Sequence, residues 1–232
     1  MQPTPPVPSL DAPHRQVDSE RWEDIYVVGD VHGCLATLRA LLDRLDPGED
    51  DLVVFVGDLV RKGPDSGGVL ELVRGRENFL SVRGNNEQKF LDGVESAAWL
   101  TAADRAYLES LPATIAWEGA LVVHGGVDPR KPLADHSLAE LLTVRSLAGG
   151  SYDRPYWFER HAGPPRVFFG HTVLSEPFAS DGAVGLDTGC VHGGRLTAYD
   201  VGAGEFVSVS PPRTHRDRSA DTIVDPHASA RQ

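Results

Sequence analysis

Cysteine is scarce in this chain: of 232 residues only Cys34 and Cys190 carry a thiol, and neither belongs to a CxxC pair. That count excludes a zinc knuckle and a disulfide-framed scaffold. It fits two reduced thiols and an expected cytoplasmic location. Long apolar runs are absent too. No stretch reaches the roughly 20 residues that a membrane-spanning helix needs, and the first residues lack the basic and apolar regions of a secretion signal. No membrane partner is expected. Lysine is limited to Lys62, Lys89 and Lys131, and the formal net charge is −12, with 34 acidic against 22 basic residues. Such a surface repels long nucleic acid and anionic lipid. A phosphorylated ligand would need positive charge concentrated in one place, which bound metal can supply.

What is present is a chain with polar ends and a patterned middle. Residues 1–21 hold Pro3, Pro5, Pro6, Pro8 and Pro13 with few large apolar side chains, and residues 210–232 open on Pro211-Pro212 and are rich in charge. Both read as disordered tails around one folded domain at 22–209. Hydrophobic residues make up 41% of the chain, enough for a sizeable core. No internal repeat appears. Short apolar runs at 25–28, 52–56, 79–82, 113–117, 120–123, 167–169 and 184–186 predict strands. Helical spacing follows at 35–45, 69–73, across 88–111 and at 138–142, and 195–209 reads as a closing hairpin. The pattern predicts an α/β fold of two packed sheets flanked by helices.

Six of these runs end in Asp30, Asp58, Asn85, His124, His171 and Asp187, each within two residues of a glycine, and His32 follows Asp30 closely. An Asp or Asn at a strand end is ordinarily a turn or cap residue. A His placed directly after a buried strand is not ordinary, and two of them beside His32 point to metal. Parallel strand ends meet at one edge of a sheet, and one carboxylate can bridge two ions about 3.5–4 Å apart. Asp30 and His32 would complete one site, and Asn85, His124 and His171 the other. Two dications with Asp30 and Asp58 as the only anionic ligands leave a charge near about +2, suited to a phosphate ester. The donor set suits Mn²⁺, Fe, Co²⁺ or Zn²⁺ better than Ca²⁺, and it also admits Mg²⁺. Manganese is the first expectation.

The stretches Gly29–Gly33, Gly57-Asp58 with Gly63-Pro64, Gly84-Asn85-Asn86-Glu87, His124-Gly125-Gly126 and Gly170-His171 occur in an order that resembles the calcineurin-like metallophosphoesterases. The segments at 57–64 and 186–194 resemble the branch of diadenosine tetraphosphatases and bacterial Ser/Thr protein phosphatases. The resemblance implies an αββα sandwich of two mixed sheets flanked by helices. It implies two divalent ions on Asp30, His32, Asp58, Asn85, His124 and His171, with Asp58 bridging. It implies hydrolysis of a nucleoside polyphosphate or a phosphoprotein.

Two departures stand out. Asn86 occupies the place of the family's general-acid His, and an amide cannot do that work. Arg61 and Lys62 stand where protein phosphatases carry an Asp and a phosphate-binding Arg. Lys62 and Arg61 are therefore expected at substrate phosphate, with Arg145 as a third contact. Asp187 and His192 are expected to orient ligands, and Arg83 to pair with Glu87. The alternatives to a dinucleoside polyphosphate hydrolase are a Ser/Thr protein phosphatase and, from another class, a catalytically impaired metal- and phosphate-binding sensor or scaffold.

Overall fold

The computed structural model describes residues 13–148 and 152–228. Its strands are β1 (His14–Gln16), β2 (Ile25–Val28), β3 (Leu52–Phe55), β4 (Phe79–Ser81), β5 (Thr114–Trp117), β6 (Ala120–Val123), β7 (Arg166–Phe169), β8 (Phe178–Ala179), β9 (Ala183–Gly185), β10 (Leu196–Asp200) and β11 (Glu205–Val209). Its helices are α1 (Leu35–Leu45), α2 (Ser66–Arg74), α3 (Asn85–Leu91), α4 (Ala102–Ser110) and α5 (Leu138–Thr143). None is long and apolar enough to cross a membrane.

The strands form a six-stranded sheet, β1-β5-β6-β7-β9-β8, and a five-stranded sheet, β11-β10-β2-β3-β4. Both are mixed. The alternation of the buried strands explains the layering. Ile25 and Val27 of β2 point into a core shared with Ile115, Trp117, Val122 and Phe168 of the other sheet. Tyr26 and Val28 point the other way, against Leu38, Leu41 and Leu70 of the helices. A strand covered on both faces has no polar side to show, hence the unbroken apolar runs. The outer face of the six-stranded sheet is closed by Leu141, Trp157 and Phe158. The result is the expected αββα sandwich.

Helix ends follow local chemistry. The Asp65 side chain caps α2 by accepting from Gly68 N at 2.8 Å. The stretch 88–111, expected to be helical, is two helices with residues 92–101 between them. The second starts at a capping box, in which Asp104 N donates to Thr101 Oγ1 at 3.1 Å and Thr101 N donates to Asp104 Oδ2 at 3.0 Å.

The expected domain limits at 22 and 209 differ from what is seen. β1 adds to the edge of β5 in parallel, and Val17 N donates to Ala116 O at 2.8 Å. At the other end, Val224 is 4% exposed and exchanges backbone hydrogen bonds with Val173 and Ser175. Composition missed both because a sheet edge recruits any backbone, whatever its side chains, and one apolar residue suffices to anchor a polar segment. Residues 1–12 and 229–232 lie outside the described residues.

Candidate metal centre

The site lies where the sheets meet. β2, β3 and β4 run parallel in one sheet and β6, β7 and β9 run parallel in the other. Their carboxyl ends deliver Asp30, Asp58 and Asn85 from one side and His124, His171 and Asp187 from the other. The two sets touch: His171 N donates to Asp30 Oδ1 at 3.2 Å. Tight turns make this approach possible. His32, Asp58 and His171 all adopt left-handed backbone with φ of 49°, 51° and 63°, a conformation uncommon outside glycine and concentrated at functional sites. A Cβ on Gly170 would lie 2.0 Å from Asp30 Oδ1, and one on Gly84 would lie 2.2 Å from Asp58 Oδ1. Glycine is required at both because a carboxylate occupies the space.

The donor atoms converge around Asp58. Its Oδ2 lies 3.6 Å from His32 Nε2 and its Oδ1 lies 3.3 Å from His124 Nε2. Suitable atoms of Asp30, His32 and Asp58 fall within 4.8 Å of one another. On the other side, Asn85 Oδ1 lies 3.0 Å from His124 Nε2 and 3.1 Å from His171 Nδ1. Backbone carbonyls set the tautomers. His124 Nδ1 donates to Val56 O at 2.8 Å and His32 Nδ1 to Val60 O at 3.3 Å. With Nδ1 carrying the proton, each Nε2 presents a lone pair. Among the described residues, His124 Nε2 therefore faces only acceptors, the oxygens of Asn85 and Asp58. Lone pairs gathered this closely call for a cation between them. On the His32 side an ammonium already plays that part, Lys62 Nζ at 2.8 Å from His32 Nε2. The residues present fit a dinuclear centre.

The charges agree. Burial and the Lys62 cation lower His32 to about 4. His171 is lowered well below its usual value by burial and by its neighbours His124 and Arg145, and burial lowers His124. Neutral imidazole is the form a metal takes. Asp30 is raised well above the carboxylate range by burial and by the carboxylates of Asp187 and Asp58. Burial works in the same direction on Asp58, but His124, His32, Lys62 and the Asn86 amide outweigh it and hold its pKa low.

A model of the calcineurin-like phosphoesterases matches residues 24–188. The chain belongs to that family. Serine/threonine-protein phosphatase 1 of Salmonella typhimurium is 30% identical over 210 residues, covering 79% of this chain and 94% of that relative. An asymmetrical bis(5'-nucleosyl)-tetraphosphatase of Oceanobacillus iheyensis is 26% identical, covering 80% of this chain and 92% of its own length. A crystal structure described as a candidate diadenosine tetraphosphatase superposes with a TM-score of 0.75 at 31% identity, covering 86% of this chain and 98% of that one.

Within this phosphoesterase the remaining candidates separate. Asn86 is 2% exposed and grips Asp58 twice, through its amide N to Oδ1 at 2.9 Å and through its side-chain Nδ2 to Oδ2. Arg61 donates to Asn86 Oδ1 at 2.9 Å and pairs with Glu95. Expected at phosphate, Arg61 is thus committed to protein partners. Lys62 points at the centre. Arg145 does too: its Nη2 donates to His171 O at 3.1 Å and lies 3.3 Å from His171 Nδ1.

Asp187 is buried and acts on Asp30 through charge, while its Oδ1 accepts from Gly189 N at 3.0 Å. His192 makes no hydrogen bond to a candidate ligand among the described residues; its Nδ1 donates to Arg216 O at 2.8 Å.

Glu87 holds a role that the sequence does not show. Arg83, its expected partner, instead donates to Gln88 Oε1 at 3.0 Å and to Glu109 O at 2.8 Å. Glu87 is fully buried, and its carboxyl accepts from Asp58 N at 2.8 Å, Gly84 N at 2.7 Å and Val60 N at 3.1 Å. It ties the Asp58 loop to the Asn85 loop. Burial and the Asp58 carboxylate push its pKa up to about 8, against the pull of the three amides. Its position, third in α3 after Gly84, was the available signal, since an acidic residue there reaches back to the cap amide.

Proposed function

We propose that the chain hydrolyses phosphoanhydrides of nucleoside polyphosphates with two divalent ions held by Asp30, His32, Asp58, Asn85, His124 and His171, Asp58 bridging. The observation that carries this is the Asp58 carboxylate set between the lone pairs of His32 and His124, with Asn85 Oδ1 behind the second. Bound ions would supply charge for the phosphoryl oxygens and activate a water. The chain's own residues do the rest. Val60 O and Val56 O hold the imidazole tautomers. Asn86 and Glu87 fix Asp58. Lys62 meets the His32 lone pair that a metal would take, and with that lone pair taken its ammonium would be available to substrate phosphate. Arg145 adds positive charge on the His171 side. Manganese is our first assignment, with Fe, Co²⁺, Zn²⁺ and Mg²⁺ as alternatives, and the cytoplasm our assigned location.

Asn86 selects the substrate class. An alkoxide leaving group needs a proton, and a positioned general acid typically contributes about 10²–10⁴-fold. A nucleotide or phosphate leaving group departs as an anion without it. The relatives named as tetraphosphatases support this reading; the Salmonella protein phosphatase, at 30% identity, favours phosphoprotein as the second. The test is kcat/KM for diadenosine tetraphosphate, a phosphoserine peptide and an aryl phosphate with each metal in turn. We expect the anhydride to exceed the peptide by about 100-fold or more. A faster peptide would install the second reading, and no turnover with any metal would leave a sensor or scaffold.

A further inference from the structure

Beside the centre lies an open cavity of about 310 Å³ lined by Arg61, Lys62, His192, Arg216, Asp217 and Arg218. Three features make it more than a surface dip. First, it is cationic within an acidic chain. Four basic residues line it against one acidic, while the whole protein carries −12. Among the described residues, neither Arg216 nor Arg218 forms an ion pair. The hydrogen-bond acceptors of Arg218 among the described residues are neutral: the Tyr152 hydroxyl at 2.7 Å, Thr222 O at 3.0 Å and His192 Nε2.

Second, the C-terminal segment is built into place. His215 N and Arg216 N both donate to Val191 O, at 3.1 and 3.0 Å, and His192 Nδ1 donates to Arg216 O. With that proton placed, His192 Nε2 accepts from Arg218 Nη1 at 3.5 Å. Third, the cavity adjoins the centre through Lys62, which lines it and reaches His32 Nε2 at 2.8 Å. Arg61 and Lys62, on its wall, are themselves consecutive left-handed residues, φ 76° and 71°. The volume sits at the small end of ligand pockets, about 300–1,000 Å³. That suits a short run of phosphates.

We propose that Arg216 and Arg218 form, with Lys62, a second phosphate subsite that grips the polyphosphate chain beyond the phosphorus under attack. This rests on the phosphohydrolase reading. It makes the C-terminal segment, rather than the family motifs, the element that favours a chain of phosphates over a monoester. Guanidinium groups suit the task through paired donors.

The test is calorimetric titration of the manganese-loaded full chain with bis(methylene)triphosphonate, a hydrolysis-resistant triphosphate mimic, and with methylphosphonate. We expect Arg216→Ala to weaken the triphosphonate on the order of tenfold and methylphosphonate less than twofold. Arg218→Lys should retain more affinity than Arg218→Ala. The control Arg39→Gln, an exposed change of equal charge on α1, should leave both ligands unaffected. Arg216 lies on an exposed loop, so an unchanged melting temperature is expected. Equal losses for both ligands, or no loss in either arginine variant, would overturn the subsite. Turnover of diadenosine tetraphosphate by the wild type judges the underlying reading separately. A chain that binds triphosphonate through Arg216 yet hydrolyses nothing would refute that reading and leave the subsite standing.

Discussion

Replacing Glu87 should loosen the metal centre without touching a ligand. Its carboxyl satisfies three buried amides, of Asp58, Gly84 and Val60. An unsatisfied buried donor costs about 1–3 kcal/mol. Glu87→Ala strands three. The space it vacates admits water, so we expect the lower half of the sum, about 3–6 kcal/mol of stability. Glu87→Gln is the sharper probe. Its oxygen still accepts from Asp58 N and Gly84 N, but its NH₂ then meets Val60 N, donor against donor. That loss is about 1–3 kcal/mol, and it holds whether or not Glu87 is protonated in the wild type, since a hydroxyl can accept where an NH₂ cannot. The freed loop carries Asp58, so metal affinity should fall about 10–100-fold, as is usual for partners that hold ligands. Urea unfolding with and without Mn²⁺, and Mn²⁺ titration of each variant, read both effects. Glu87→Gln within about 0.5 kcal/mol of wild type, with metal affinity within twofold, would refute the reasoning.

Two other outcomes are expected. A chain shortened to 22–209 loses β1 and the burial of Val224. One buried Val is worth about 1.5–3 kcal/mol, so with the strand we expect a melting temperature lower by about 6–12 °C; an unchanged melt would mean that neither segment docks. His14, whose Nδ1 meets Thr114 Oγ1 at 2.6 Å, is lowered from its usual 6.5 by burial. The folded state therefore resists a proton that the unfolded chain accepts, and the contribution of His14 is present above 6.5 and lost as pH falls below it. The gap in urea midpoint between wild type and His14→Gln should shrink from pH 7.5 to 5.5, and a constant gap would count against it.

How legible the molecule is in its sequence depends on whether a signal is local. β2, β3, β6 and β7 announce themselves because both faces are buried, leaving apolar runs stopped by glycine and a polar residue. Asp30, His124 and His171 are visible for the same reason. β1, whose sequence is His-Arg-Gln, and the two-residue β8 carry no such pattern. They exist because the edges of β5 and β9 accept any backbone. The roles of Asn86 and Glu87 are illegible for another reason. Their partners, Asp58 and Val60, lie 27–29 residues earlier and are brought near only by sheet pairing. Arg61 read as a phosphate contact from its place after Asp58, but Glu95, 34 residues away, claims it. Arg216 and Arg218 lay in a segment whose composition resembles a solvated tail.

The central claim is that one carboxylate, Asp58, joins two ions. Elemental analysis of the purified chain and of Asp58→Asn, paired with turnover of diadenosine tetraphosphate, tests it most directly. We expect two metal ions per chain in the wild type, and metal loss with no measurable turnover in a still-folded Asp58→Asn. Two ions retained in Asp58→Asn at a near-normal rate would contradict it.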